Sequence, residues 1–247
     1  MKNHLAIGVD IGGSHIATAL VNIKNLSIIP NSMYSVKVDN KVSKDEIIKN
    51  WCSAINRTIN AVSLEGEIKI GFAMPGPFQY KTGLAMFKGN DKYEKLFNVS
   101  IPKELKKHLK YPDLDFRFLN DATSFGVGVA SIGKARNYDR IIAVTLGTGF
   151  GSAFINKGVP QVNAVGVPNG GCLWDKPYKE GIGDDYFSTR WCIKRYHELT
   201  GVQVGGVRDI AEFDDQNSRT VFYEFGANMA EFMIPFVKNY RPDLIIL

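Results

Sequence analysis

The sequence predicts an α/β protein built from two similar domains, and three observations lead to this prediction. A short apolar run, a glycine turn and a second apolar run occur near the N-terminus and again roughly 135 residues later. Segments with apolar residues at helical spacing alternate with these short runs. The 247 residues are enough for one large domain or two small ones. We place the two domains at residues 1–118 and 119–247, each with one glycine hairpin.

The first domain begins with a strand that leads to Asp10 and the turn Gly12-Gly13-Ser14. Apolar residues then recur every three or four positions over 44–62, which predicts an amphipathic helix. A later strand is closed by Met74-Pro75-Gly76-Pro77, where two prolines cannot join a regular ladder. The predicted elements are, in order, strands at 5–9 and 16–23, a helix at 44–62, and strands at 68–73 and 116–119.

The second domain repeats the strand, glycine turn and strand pattern around Gly147-Thr148-Gly149-Phe150-Gly151. Its predicted elements are a helix at 122–131, strands at 140–146 and 152–155, helices at 187–200 and 220–240, and a strand at 243–247. A core strand in this position should lead to a turn and another helix. We therefore expect the C-terminal part of the second domain to be truncated.

Composition indicates a cytoplasmic globular protein. Apolar residues make up 45% and charged residues 22%, and no apolar run approaches the ~18 residues of a membrane span. The N-terminus does not resemble a signal peptide, and three widely separated cysteines do not suggest a disulfide framework. The net charge is +5, and basic and acidic residues are interspersed along the chain. No helix-turn-helix motif is present. Neither a nucleic acid nor a membrane is therefore a predicted partner.

The two glycine hairpins are candidate phosphate sites. Without a Cβ, glycine lets backbone amides approach an anion closely; the candidates are Gly12, Gly13 and Ser14 in the first hairpin and Gly147, Thr148, Gly149 and Gly151 in the second. Asp10 follows a strand and can hold Mg²⁺ directly or through water, since this cation prefers oxygen ligands. Any tight hairpin can use glycine, but two such turns after buried strands, one of them preceded by Asp, favour phosphate binding.

Asn120 and Asp121 lie between a predicted strand and a predicted helix. A carboxylate there can act as a general base toward a substrate hydroxyl in phosphoryl transfer. Asn and Asp are also preferred helix N-caps, and local sequence alone favours the cap.

Four motifs occur in the order and spacing of a known family. They are Asp10-Ile-Gly-Gly-Ser-His-Ile-Ala-Thr-Ala-Leu-Val21, Met74-Pro-Gly-Pro77, Leu119-Asn-Asp-Ala122 and Thr145-Leu-Gly-Thr-Gly-Phe-Gly151. Together they resemble the ROK family of repressors and sugar kinases, a branch of the sugar kinase, hexokinase and actin-like ATPases. The resemblance covers nearly the whole chain. It implies two ribonuclease H-like domains with a cleft between them, and it is compatible with a homodimer.

The resemblance also implies roles for individual residues. The two hairpins would bind the phosphates of ATP, with Mg²⁺ near Asp10, and Asp121 would be the catalytic base. The residues that would hold the sugar are Gly76, Asn90, Asn120 and Asp184.

Two departures from the family pattern bear on these expectations. Family kinases commonly carry Glu-x-Gly-His and a zinc-binding cysteine cluster, whereas residues 163–171 contain neither Glu nor His and only Cys172 lies nearby. No structural zinc site is expected, and substrate choice is put in question. The adenine-binding Gly-Gly turn that commonly follows a strand like 244–247 is also missing.

The leading hypothesis is ATP-dependent phosphorylation of a hexose or amino-sugar hydroxyl, with Mg²⁺, sugar and nucleotide as the small-molecule partners. The alternative is a catalytically inactive sensor that binds a sugar or nucleotide on the same scaffold. The missing Glu-x-Gly-His favours the sensor, and the intact Asp10, Asp121 and hairpins favour the kinase.

Overall fold

The chain separates into two structural units, Met1–Ser124 and Phe125–Leu247. The computed structural model describes residues 4–61, 66–89, 92–111 and 113–247. Asn90, one of the predicted sugar ligands, lies outside the described residues. Within this described part of the chain, no helix is both long and apolar enough to cross a membrane.

A six-stranded mixed sheet forms the centre of the first unit. The elements of this unit in chain order are β1 (Leu5–Ile11), β2 (His15–Asn22), β3 (Ser27–Ile28), β4 (Tyr34–Lys37), α1 (Lys44–Ile59), β5 (Ile68–Met74), β6 (Phe78–Gln79), β7 (Leu84–Ala85), α2 (Ile101–Lys106) and β8 (Leu114–Asn120). The strand order is β3-β2-β1-β5-β8, with β4 also paired to β2. β1 and β2 are antiparallel, whereas β1, β5 and β8 are mutually parallel.

Helix α1 packs against this sheet because its apolar residues lie on one face. Ile47, Trp51 and Ile55 are fully buried in the same core as Ile7 and Ile70 of the strands. Burial of such a side chain stabilises the fold by roughly 1.5–3 kcal/mol. The helix begins where the Ser43 side chain accepts a hydrogen bond from the Glu46 amide, an N-cap.

Helix α3 (Asp121–Ser131) begins in the first unit and ends in the second. The second unit continues with β9 (Arg140–Leu146), β10 (Phe150–Asn156), β11 (Val159–Gln161), β12 (Pro177–Tyr178), β13 (Gly181–Ile182), α4 (Gly183–Tyr186), α5 (Thr189–Thr200), α6 (Val207–Phe213), α7 (Gln216–Tyr240) and β14 (Leu244–Ile246). Its main sheet has the order β11-β10-β9-β14, and β14 runs parallel to β9.

Aromatic side chains hold the long helix α7 against the sheet of the second unit. Phe232 of α7 lies 4.9 Å from Phe187 and 5.8 Å from Phe150 between ring centroids. At the end of the helix, the Tyr240 hydroxyl donates to the Ile155 carbonyl at 2.7 Å. These contacts anchor α7 close to β10, the strand that follows the second glycine hairpin.

Candidate active site

Parallel pairing brings several predicted residues to one edge of the first sheet. Asp10 of β1 pairs with Ala73 of β5, which pairs with Leu119 of β8. Asp10 and Leu119 are thus two strands apart, about 10 Å at the usual strand spacing. The carboxyl ends of parallel strands, where α/β proteins commonly bind ligands, therefore carry Asp10, Asn120 and Asp121 together.

The first hairpin, Gly12–Ser14, is held through its carbonyl groups. The Gly12 amide donates to the His15 carbonyl at 2.9 Å and closes the turn. The hydroxyl of the fully buried Tyr93 donates to the Gly12 carbonyl at 2.7 Å, and Asn40 Nδ2 donates to the Gly13 carbonyl. The Gly12 amide is therefore engaged in the turn.

This arrangement orients two other amides of the first hairpin. In a trans peptide the carbonyl and the following amide point in opposite directions. The amides of Gly13 and Ser14 thus point away from Tyr93 and Asn40. No hydrogen bond within the described part of the chain reaches either amide. The Ser14 hydroxyl is itself 2.8 Å from His15 Nδ1.

Asn120 and Asp121 differ in their hydrogen bonds, and this bears on the two roles that the sequence left open, helix N-cap and general base. Asn120 Oδ1 accepts from the Thr123 amide at 3.2 Å and so caps the start of α3. Asp121 Oδ1 accepts from the Ala122 amide at 2.9 Å and from Asn120 Nδ2 at 2.8 Å. Apart from the backbone amide of Asp121 itself, which also favours the charged form, no further described residue donates a hydrogen bond to this carboxylate. One oxygen of Asp121 is fixed, and the other remains able to accept a proton.

The amide of Asn120 is largely committed to this framework. Its Nδ2 also donates to the Tyr80 hydroxyl at 3.3 Å. That hydroxyl lies 3.5 Å from where a Cβ on Gly76 would be, which brings Gly76, Tyr80 and Asn120 together. The contacts of Asn120 in this structure orient Asp121 and cap α3.

Two neighbouring carboxylates give this edge of the sheet a negative potential. Loss of hydration raises the pKa of Asp10 above its ordinary value although the residue remains in contact with solvent, and the charge of Asp121 raises it further. Loss of hydration likewise raises the pKa of Asp121, opposed by its hydrogen bonds and by the positive charge of Lys92. Lys92 also lies beside the first hairpin, with Nζ 3.7 Å from where a Cβ on Gly13 would be.

The second hairpin, Gly147–Gly149, is held by residues that follow it in the sequence. The Gly147 amide donates to the Gly149 carbonyl at 3.1 Å, again closing the turn. The backbone amide and the hydroxyl of Thr189 both donate to the Gly147 carbonyl at 2.8 Å. Arg190 Nη1 donates to the Thr148 carbonyl at 2.7 Å.

Asp184 lies against this second hairpin. Its Oδ1 accepts from the Phe150 amide at 2.7 Å, and its Oδ2 forms a 2.6 Å ion pair with Arg190 Nη2. Both carboxylate oxygens therefore have partners within the hairpin assembly. Gly151, predicted as a loop residue, instead lies inside β10 opposite Thr145.

The absence of a side chain at Gly147 leaves open space where a ligand could approach. A Cβ built there would meet no atom of the described residues within 4 Å, and its backbone is not in the left-handed region. The turn therefore does not itself require glycine at this position. Space of this kind beside exposed amides fits a phosphate group. The oxygens of Asp10, beside a second carboxylate, are of the type that Mg²⁺ prefers.

Several residues of the site were missed by sequence reasoning because they come from distant segments. They are Asn40, Tyr80, Lys92, Tyr93, Thr189 and Arg190. Thr189 and Arg190 lie in the first turn of the helix predicted at 187–200, shortly after Asp184, and this proximity was the available signal. Nothing local distinguishes Asn40 or Tyr93.

Comparison with known proteins identifies the family. The sequence profile of the ROK family matches residues 6–169. A glucokinase from Thermotoga maritima is 31% identical over 158 residues, which are 62% of this chain and 44% of that protein. An N-acetyl-D-glucosamine kinase from Haemophilus influenzae is 26% identical over 263 residues, covering 97% of this chain and 82% of that protein.

A solved structure shows the same fold. A ROK family glucokinase from Streptomyces griseus, determined in complex with glucose and AMPPNP, aligns with a TM-score of 0.70 at 20% identity. The alignment covers 98% of this chain and 81% of that chain. Since the family profile matches more than half of its residues, this chain belongs to the ROK family.

Proposed function

We propose that this protein transfers the γ-phosphoryl group of ATP to a hydroxyl of a hexose or amino sugar. The observation that carries the proposal is the Asp121 carboxylate, fixed through Oδ1 and open at Oδ2, on the edge that also carries Asp10 and the first hairpin. The similarity to a glucokinase and to an N-acetyl-D-glucosamine kinase supports it.

Asp121 is the proposed general base. Its raised pKa makes the carboxylate a better proton acceptor than an ordinary aspartate. The bonds from Ala122 and Asn120 to Oδ1 hold the side chain, so that Oδ2 faces the sugar hydroxyl. As the sugar oxygen attacks the γ-phosphorus, the bond from that phosphorus to the β–γ bridging oxygen would break and ADP would leave, while Asp121 Oδ2 takes the hydroxyl proton.

The phosphates of ATP are assigned to the free amides of the two hairpins. These are the amides of Gly13 and Ser14 in the first hairpin and of Thr148 and Gly149 in the second. Backbone amides fixed in advance stabilise charge on phosphoryl oxygens without reorganising during the reaction. Lys92 adds a positive charge beside the first hairpin.

Asp10 is the proposed magnesium ligand, directly or through water. Among the described residues, no group of three or more His, Cys, Asp or Glu side chains is arranged to hold a metal. Mg²⁺ would therefore take most of its ligands from phosphate oxygens and water, as it commonly does in phosphoryl-transfer enzymes. Bound there, it would neutralise phosphate charge.

We also retain the domain division at 1–118 and 119–247 as part of this proposal.

A second candidate function is a sugar or nucleotide sensor that does not turn over. The predicted sugar ligands Asn120 and Asp184 use their polar atoms within the protein, and the Glu-x-Gly-His motif is missing. These features leave the protein able to bind a nucleotide with a weak or altered sugar site.

Kinetics of matched carboxylate variants test the proposal. ADP release with Mg-ATP would be measured across hexoses and N-acetylhexosamines for wild type, Asp121→Asn and Asp115→Asn. Asp115 is a matched control because it lies on the same strand, β8, and pairs instead with Arg117 at 3.2 Å. We expect sugar-dependent turnover that falls by about 10²–10⁴-fold only in Asp121→Asn. Equal turnover in all three proteins would exclude Asp121 as the base, and sugar binding without turnover in the wild type would favour the sensor.

A further inference from the structure

The start of helix α5 holds the second hairpin through three hydrogen bonds to two consecutive carbonyls. Thr189 donates twice to the Gly147 carbonyl at 2.8 Å, from its amide and from its hydroxyl. Arg190 donates once to the Thr148 carbonyl at 2.7 Å. The hairpin is thus fixed from the α5 side through both of its central peptide groups.

The hydrogen bonds to these two carbonyls also determine where the following amides point. The Gly147–Thr148 and Thr148–Gly149 peptides are trans, since the cis peptide of the described residues is Gly76–Pro77. A trans peptide directs its amide opposite to its carbonyl. The amides of Thr148 and Gly149 consequently point away from α5, and no described residue accepts a hydrogen bond from either.

Asp184 fixes the guanidinium group that makes one of these contacts. Arg190 uses Nη2 for Asp184 Oδ2 at 2.6 Å and Nη1 for the Thr148 carbonyl at 2.7 Å. The second oxygen of Asp184 accepts from the Phe150 amide at 2.7 Å, directly after the turn. Because the guanidinium is planar and presents its donors at a fixed separation, Arg190 holds both partners in one defined geometry, which the flexible point charge of a lysine would not fix.

We propose that Thr189 and Arg190, with Asp184 behind Arg190, are positioning residues that aim the Thr148 and Gly149 amides at a nucleotide phosphate. The proposal rests on the function proposed above. It gives Asp184 a task different from the sugar contact expected from the family resemblance. The carboxylate acts on the nucleotide side, through Arg190 and the hairpin backbone.

The test compares two pairs of variants on the same helix. Thr189→Val and Arg190→Gln remove the side-chain bonds to the hairpin. Thr200→Val is the matched control for the first, because the Thr200 hydroxyl also donates to a backbone carbonyl at 2.8 Å, that of Tyr196. Arg195→Gln is the matched control for the second, because Arg195 forms a 2.6 Å ion pair with Glu224. Thr189→Ser retains the hydroxyl and serves as the conservative rescue.

Two readouts separate positioning from general structure. The Kd of Mg-AMPPNP is expected to rise by about tenfold in Thr189→Val and in Arg190→Gln, and to stay near the wild-type value in both controls. In steady-state kinetics the KM for ATP should rise while the KM for the sugar is unchanged. In the ligand-free protein, the NMR order parameters of the Thr148 and Gly149 amides should fall from about 0.85 in the two test variants.

The outcomes that would overturn the proposal are distinct from those that would overturn the proposed function. Unchanged Mg-AMPPNP affinity and unchanged order parameters in Thr189→Val and Arg190→Gln would exclude a positioning role, even if the protein is a kinase. Equal losses in the control variants would show a general loss of structure instead. A wild-type protein that binds no Mg-AMPPNP would overturn the proposed function, and the phosphate role of these residues with it.

Discussion

The two glycine hairpins share one design but are held by different kinds of residue. In each, the first glycine amide closes the turn, two consecutive carbonyls are bonded from the protein side, and the two following amides have no partner among the described residues. The first hairpin is held by the fully buried Tyr93 and by Asn40. The second is held by Thr189 and Arg190, and the side chain of Arg190 is 59% exposed.

The charged groups beside the two hairpins differ. Asp10 and Asp121 lie near the first hairpin, and Lys92 accompanies them. Beside the second, Arg190 brings a positive charge that Asp184 balances. The same arrangement of backbone amides is therefore accompanied by carboxylates, which suit a metal ion, in one unit and by a guanidinium group in the other. The two glycine turns thus present their amides in the same way, whereas the residues that hold the turns differ.

The largest predicted difference between the hairpins concerns magnesium. We expect Asp10→Asn to abolish Mg²⁺-dependent nucleotide binding, because a neutral amide is a much weaker ligand for this hard cation than a carboxylate. Asp184→Asn, beside the second hairpin, should weaken nucleotide binding without changing its Mg²⁺ dependence. Titration of nucleotide affinity against Mg²⁺ in both variants checks this. Equal Mg²⁺ dependence in wild type and Asp10→Asn would remove the metal role from Asp10.

The next prediction concerns the buried support of the first hairpin. Tyr93→Phe leaves the Gly12 carbonyl without its 2.7 Å donor, which should cost about 1–3 kcal/mol of folding stability and weaken nucleotide binding. Tyr111→Phe is a matched control, since the Tyr111 hydroxyl donates to the Gly66 carbonyl at 2.6 Å in an exposed setting. Urea unfolding and nucleotide titration of both variants measure the two effects. A Tyr93→Phe protein that binds nucleotide like the wild type would show that the first hairpin needs no such support.

A smaller effect is expected in the dependence of stability on pH. The raised pKa values of Asp10 and Asp121 mean that the native state holds these protons more tightly than the unfolded chain. Stability is therefore lost as pH rises through the native pKa values and is regained as pH falls toward the ordinary carboxyl value of about 3.9. The double variant Asp10→Asn, Asp121→Asn should be more stable than wild type near neutral pH.

Urea unfolding of wild type and the double variant at several pH values checks this prediction. The advantage of the variant should shrink as the pH is lowered, because wild type then protonates the same groups. An advantage of the variant that does not shrink as the pH is lowered would contradict the raised pKa values.

The smallest predicted effect concerns salt. The Arg190–Asp184 pair is partly exposed, so its contribution is screened by ions, whereas the hydrogen bond from Tyr93 to Gly12 joins two uncharged groups and is partly buried. The loss of nucleotide affinity in Arg190→Gln, relative to wild type at the same ionic strength, should diminish at high salt. The loss in Tyr93→Phe should persist. Identical salt responses would remove the distinction between the two supports.

The strands and helices next to the site could be predicted because their patterns are local. The helix predicted at 44–62 is observed at Lys44–Ile59, and the strand predicted at 140–146 is observed at Arg140–Leu146. Helix α7 begins earlier than predicted, at Gln216, because Asp215 accepts from the Ser218 amide as an N-cap although the first turn is polar. The short helix α6 was missed. Its seven residues offer little periodicity.

The chemistry of the site could be predicted only in part. Asp10, Asp121 and the hairpin glycines follow strands directly, and that position is readable in the sequence. The division of work between Asn120 and Asp121 could not be read, because both residue types cap helices and only the observed bonds assign the cap to Asn120. The contacts of Tyr93 and Asn40 depend on tertiary packing across 81 and 27 residues of sequence. Such separations leave no local pattern.

Phosphorus NMR of a reaction mixture tests the central claim most directly. Wild-type protein would be incubated with Mg-ATP and each of glucose and N-acetylglucosamine, with Asp121→Asn in parallel. The account predicts a new sugar phosphate ester that appears in equal amount with ADP in the wild-type reaction and is nearly absent with Asp121→Asn. ATP left intact with bound sugar, or ADP accompanied only by inorganic phosphate, would contradict it.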